Sequence, residues 1–373
     1  MGKTVLILLN LCLLFSCGLS QNENEEHVYV INVDEAEKKG FSSMFDSVAY
    51  IPLETTDECE IGRISRVLYH NGKYIVVDEL TNTVFIFTED GRYYSKIQAA
   101  GNGPGEYAQM ADIAIDKFEE KIEILDAMQV KVVSFDLDGH FTGETKLPVS
   151  PSPIRFCQVD RDKYAYDFER SFYEKEWQYN LSVNQEDFTG EISKFMPYDK
   201  PLSICFSSRV TLQDVNGEIL FIPLYSPTVY TIESSELKPR YTFDFGDKWV
   251  SQEFIDTEWK DAIEFMNKLN NANFVHYFNM LESGSHIYGE FMYGENKYYL
   301  LIDKETGHRF LQQGMKDEKY QYEKFSMCCV GNQFVIPLSP VEYNSMSGEK
   351  ACRRLAEAGV KRLFNCRKII IRC

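Results

Sequence analysis

The segment from Asn71 to Ile97, NGKYIVVDELTNTVFIFTEDGRYYSKI, is echoed 48 residues later by EEKIEILDAMQVKVVSFDLDGHFTGET, from Glu119 to Thr145. Asp78 matches Asp126, Phe87 matches Phe135 and Gly91 matches Gly139, all at that one offset. A repeat of this length restricts the fold severely, because each unit must be one supersecondary structure stacked on copies of itself. Within each unit apolar residues alternate or form short runs bounded by Gly, Asn and Asp, the pattern of strands joined by tight turns. Asp90-Gly91 and Asp138-Gly139 suit hairpin turns, since Gly enters positive φ without steric cost.

Weaker copies follow at Lys163 to Val183, Glu218 to Ile232, His286 to Ile302 and Gln333 to Tyr343. With Asp78, Asp126, Asp167, Pro223, Glu290 and Pro337 as markers, the steps are 48, 41, 56, 67 and 47 residues. Four strands and their turns need about 40–50 residues, the size of one propeller blade. Six units therefore predict an all-β fold, a six-bladed β-propeller. A chain of 373 residues also exceeds the roughly 250–300 that one simple core supports. The excess of 26 Phe and 23 Tyr over 3 Trp fits strands. The longest step contains Ser251 to Asn271, where Ile255, Trp259, Ala262, Met266 and Leu269 form one helical stripe. This predicts one helical insertion at about 251–271, between the fourth and fifth blades. The stretch Val28 to Leu53, with strand-like VYVINV and VAYIPLE, is expected to supply a strand to the last blade and close the ring.

Residues 1–16 carry Lys3 ahead of an apolar run from Val5 to Phe15. The run is shorter than the roughly 20 residues of a membrane span and suits a signal peptide. It ends at Leu14-Phe15-Ser16-Cys17-Gly18, which resembles the lipobox of bacterial lipoproteins. That resemblance implies cleavage before Cys17 and its lipidation, with 17–26 a polar tether and 27–345 the propeller. The expected partner is then the membrane, through the lipid anchor, and the expected place is a cell envelope, at either face of the outer membrane. The remainder, 346–373, differs in composition: Glu349 to Cys373 holds eight basic and two acidic residues. Two readings stay open, a native tail whose Lys368 to Arg372 completes the last blade, or a frame-shifted end.

The 57 acidic and 39 basic residues give a charge of −18. This argues against nucleic acid, whose binding rests on Lys and Arg. The six His show no paired metal spacing, so no metal and no cofactor is expected. Asp136 to Gly139 starts like a calcium loop but lacks the Glu at loop position 12, and reads as a turn. Cys157, Cys205, Cys328 and Cys329 are expected as packing residues of inner strands, with the last two on opposite faces.

GKYIVVDELTNTVFIFTEDG resembles an NHL-type propeller repeat, and GNGPGEY, Gly101 to Tyr107, resembles the linker between such repeats. With the lipobox and MFDSVAYIPLETT, the chain resembles the six-bladed propeller lipoproteins of Bacteroidetes over roughly Val28 to Tyr343. The resemblance implies an anchored propeller that binds a glycan or a protein partner. It supplies no catalytic residues.

Naming the strands of a blade a to d outward from the axis, the b–c loops and d–a linkers share one face. Asp78, Asp126, Asp167 and Glu290 are expected at the ends of strands b, facing that side. Phe172, Tyr173, Trp177, Tyr225 and Tyr293 fall in the same class of loop. Rings cover the apolar faces of a sugar, and carboxylates accept its hydroxyl hydrogen bonds. For any one of these residues the commoner role is structural: an Asp caps the turn and a ring packs between blades. The leading reading is a non-enzymatic binding or scaffold module for a glycan or protein partner. The alternative is a propeller-type lyase or hydrolase acting on a polysaccharide, with its active site on the b–c loop face.

Overall fold

The computed structural model describes residues 27–38, 44–45, 47–149, 152–170, 178–190, 192–199, 210–233, 236–314, 328–337 and 370–372. Its strands form six sheets, each built on four antiparallel strands. Blade one comprises Ile64–His70, Lys73–Asp78, Thr83–Thr88 and Tyr93–Ile97. Blade two comprises Met110–Asp116, Lys121–Asp126, Lys131–Asp136 and Phe141–Lys146. Blade three comprises Arg155–Asp160, Lys163–Asp167, Tyr179–Gln185 and Ser193–Pro197. Blade four comprises Leu212–Val215, Glu218–Phe221, Thr228–Ile232 and Leu237–Asp244. Blade five comprises Val275–Glu282, His286–Tyr293, Asn296–Asp303 and Arg309–Gln313. Blade six comprises Cys328–Val330, Gln333–Val335, Ile370–Arg372 and, as its outer strand, Ser47–Ala49. Strands a of neighbouring blades approach one another, which places them around the axis.

The reason for closure is visible in strand b of blade one. Successive side chains leave opposite faces of a strand. Tyr74 and Val76 join the apolar cluster with Val335 of blade six, while Ile75 and Val77 join the cluster with Ile113 and Ile124 of blade two. Four further clusters fill the remaining gaps between blades. Cys328 packs on the blade-one side and Cys329 on the blade-five side, as adjacent strand residues must. Cys157 lies in strand a of blade three and Cys205 is outside the described residues.

The N-terminal segment departs from expectation. VAYIPLE does contribute the outer strand of blade six, where Ser47–Ala49 pairs with Ile370–Arg372. The basic tail therefore supplies strand c of that blade. VYVINV goes elsewhere: His27–Val30 lies parallel to Leu237–Asp244 and adds a fifth strand to blade four. Between them, Glu37 bridges Gln312 on the outer strand of blade five. His27–Val30, Glu37 and Ser47–Ala49 thus lie on the outer edges of blades four, five and six and cover edge strands that would otherwise stay open. Tyr29 stacks on Phe243 at 5.8 Å, which fixes the register of the added strand.

The insertion is two helices, not one: α1, Gln252–Ile255, and α2, Ala262–Asn271. Ser251 caps α1 by accepting from the Phe254 amide, and Asp261 caps α2 by accepting from the Glu264 amide. The break at 256–261 shifts the buried face, so Phe265 and Leu269 face the core while Ala262 is exposed. No helix among the described residues is long and apolar enough to cross a membrane.

Candidate functional site

Asp78 and Asp126 end their strands b, as the repeat predicts, but both are buried and spent on backbone. Asp78 accepts from the amides of Gly62, Arg63 and Leu80 and from the Thr81 hydroxyl. Asp126 accepts from the amides of Ala108, Met128 and Gln129 and from the Gln129 side chain. Each carboxylate therefore ties a d–a linker to a b–c loop of its own blade and has no accepting capacity turned toward a ligand. GNGPGEY is a second such device. Glu106 accepts from the Gly103 amide, and a Cβ on Gly101 would fall 2.0 Å from its Oε2. Tyr107 is fully buried, with its hydroxyl donated to Asn82 O at 2.9 Å.

Asp167 repeats the position without the full set of partners. Gly62 and Ala108, two residues before the partner of the Asp in strand a, donate to Oδ2 of Asp78 and Asp126. The corresponding residue in blade three is Pro153, which has no N–H. Asp167 keeps the Glu169 amide on Oδ1, and its Oδ2 has no hydrogen-bond partner. The Thr211 hydroxyl lies near, but it too lacks a partner at hydrogen-bond distance. Burial, then the charge of Glu169, raises the Asp167 carboxyl to about 7; Thr211, the Glu169 amide and Arg155 pull the other way without cancelling this.

Glu290 is not at a strand end. It sits within His286–Tyr293, opposite Tyr299, because the hairpin of blade five runs on to Tyr293↔Asn296. Its buried carboxylate lies 3.6 Å from Lys297 Nζ. Tyr293 does end that strand, packed edge-on against Tyr298 with Lys248 over its ring. Cys17, Phe172, Tyr173 and Trp177 lie outside the described residues.

Of the predicted set, Tyr225 lines a large opening. A groove of about 690 Å³ lies on the b–c loop face between blades three and four, bounded on its far side by α1. Tyr198, Tyr225, Tyr230 and Trp249 supply rings to it. Trp249 is held by stacking on Phe245 at 5.5 Å, and Tyr225 meets Phe265 of α2 edge-on. Arg170 reaches across, with Nη2 3.1 Å from Asp256 Oδ1 and its guanidinium over the Tyr198 ring at 5.5 Å. Gln252 donates to the same Asp256 oxygen. The lining comes from two b–c loops and two d–a linkers, which explains why only Tyr225 was legible in the sequence. Arg170, Tyr198 and Trp249 sit in segments with no shared motif. Among the described residues Asp136, Asp138 and His140 are the one group close enough to hold a metal. They form an exposed turn in which Asp136 accepts from the amides of Asp138 and His140.

Six closed, radially stacked four-stranded sheets define a six-bladed β-propeller. The chain belongs to the DUF5128 family, described as a 6-bladed beta-propeller, whose family model matches residues 20–337. A crystal structure of a Bacteroides fragilis protein described as exported superposes with a TM-score of 0.81 at 19% identity, covering 92% of this chain and 99% of that one. A member of the DUF4221 family from Bacteroides vulgatus gives 0.53 at 10% identity, covering 88% and 96%. No curated protein matches the sequence.

Proposed function

We propose that this chain is a lipid-anchored envelope propeller that binds a glycan, without turning it over, in the groove between blades three and four. One observation carries the reading: half-buried rings of Tyr225, Tyr230 and Trp249 share an opening with the charged pair Arg170–Asp256. Rings and paired polar groups on a preformed wall match the two surfaces of a pyranose. The likeness to a protein described as exported supports an extracytoplasmic location, and the lipobox supports attachment through Cys17.

The binding experiment is a glycan array probed with the soluble form starting after Cys17. Trp249→Ala and Tyr225→Ala are each expected to weaken the bound glycan roughly tenfold, about 1.4 kcal/mol, with melting curves checked alongside because Trp249 also packs on Phe245. An array with no hits would reject the glycan reading in favour of a protein partner. Turnover of an arrayed glycan would reject the non-enzymatic reading and direct attention to Asp167 and Glu169 as an acid pair. Attachment is tested separately: Cys17→Ser is expected to abolish fatty-acid labelling and release the protein from the membrane fraction. Unchanged labelling would end the lipoprotein assignment.

A further inference from the structure

The opposite face, formed by the a–b and c–d turns, carries a second opening that the groove does not explain. A cleft of about 470 Å³ lies there between blades two and three. Its lining is acidic on balance: Asp116, Glu119, Glu123, Asp162, Glu186 and Asp187 outnumber the two basic residues there, Lys121 and Arg161. Five of these belong to the turns or their edges: Glu119, Asp162 and Asp187 are exposed, whereas Asp116 is buried and accepts from the amides of Phe118 and Glu119. Glu123 is different, because it stands in the middle of strand b of blade two and is only 2% exposed. Tyr164 donates its hydroxyl to Glu123 Oε1 at 3.1 Å, while Oε2 has no hydrogen-bond partner. A buried carboxyl oxygen without a donor is costly, and a site that keeps one is incomplete by itself.

The geometry points to this cleft as a binding site for an aliphatic diamine or polyamine, with one ammonium group donating to Glu123 Oε2 and another meeting the acidic rim. A bare metal ion fits less well, since the carboxylates around Glu123 do not converge as a ligand set; among the described residues only Asp136, Asp138 and His140 do so. An extended dication needs no such convergence. Its separated charges suit an inner acid and a rim of acids, with one ammonium for each. Burial, followed by the charges of Glu186 and Asp116, raises the Glu123 carboxyl to about 8, while Tyr164 and Lys121 oppose this. An arriving ammonium therefore displaces a proton from Glu123 at neutral pH.

The test is calorimetric titration of the soluble protein with spermidine, cadaverine, glucosamine and calcium chloride. Spermidine and cadaverine are expected to bind, and to release protons when buffers of different ionisation enthalpy are compared at pH 7. Glu123→Gln is expected to weaken them at least tenfold and abolish the proton release. Glu186→Gln, a rim change that leaves the interior intact, is expected to weaken them several-fold and keeps the idea testable should Glu123→Gln misfold. Absence of amine binding at millimolar concentration overturns the proposal. So does equal affinity in Glu123→Gln and the parent protein, or calcium binding tighter than either amine.

Discussion

Glu282→Gln is expected to destabilise the protein by about 3–5 kcal/mol, the range for breaking a buried ion pair by removing one partner. The Glu282 side chain is completely buried at the junction of blades four and five. It accepts from Arg240 through Nε at 3.1 Å and Nη2 at 2.9 Å, from the Tyr241 hydroxyl at 2.9 Å, and from Lys304. Burial pushes its carboxyl up, but Arg240 and Lys304 outweigh this and hold it below the ordinary value of 4.5. Because its folded pKa is depressed, this contribution is present above the unfolded value and is lost as pH falls through the folded one. The amide of Gln leaves Lys304 and the half-buried Arg240, which keeps Glu218 on Nη1 at 2.9 Å, beside a neutral group at every pH. Denaturant unfolding should show the loss at pH 7 and a smaller difference near pH 3. A variant within 0.5 kcal/mol of the parent, on the scale of an exposed pair, would show that water reaches this junction. Glu282→Gln combined with Arg240→Met should recover part of the loss, since the guanidinium is then gone too and of Glu282's two cationic partners only Lys304 stays charged.

Pro153→Ala is the second large effect, and its signature is a change of slope. Asp167 titrates near 3.8 when unfolded and is raised to about 7 when folded. A carboxyl whose folded pKa is raised makes the fold most stable below the unfolded value. That stability is lost as pH climbs through the folded one. The parent protein is therefore expected to weaken between pH 4 and 7 through this group. Alanine restores the N–H that Gly62 and Ala108 supply in blades one and two. A hydrogen bond to a charged acceptor is worth about 1.5–3 kcal/mol, so the variant should gain on that order at pH 8 and little at pH 4. Loss of the proline costs about 0.4–1 kcal/mol at all pH values through the unfolded chain, which is why the slope and not the midpoint is the readout. Parallel pH profiles for the two proteins would refute the account of Asp167.

The first two blades were legible because one residue type at one position does the same work in both. An Asp closing strand b collects the amides of the linker before it, so the spacing of Asp78 and Asp126 reports the spacing of blades. The same logic misplaced Glu290: blade five carries a longer hairpin, so an acidic residue at the right spacing falls in mid-strand. The destination of VYVINV was not legible, since alternation identifies a strand but not its partner. Apolar spacing also ran Ile255 and Leu269 into one stripe across a break that Asp261 creates as a cap. The groove stayed hidden for a different reason. Arg170, Tyr198, Tyr225 and Trp249 are neighbours only after blades three and four have stacked, and no local pattern marks them in advance.

The N-terminal strands laid on blades four and six also set an order of events during folding. His27 precedes every blade in the chain, yet its partner is Tyr241, and Ser47 must wait for Arg372, more than three hundred residues later. Closing loops of such length is slow relative to forming the local hairpins of each blade. The leading end therefore stays undocked while the blades assemble behind it. Only when the last strand arrives does the outer strand of blade six seat, so the ring shuts as a late event whatever the speed of the individual blades.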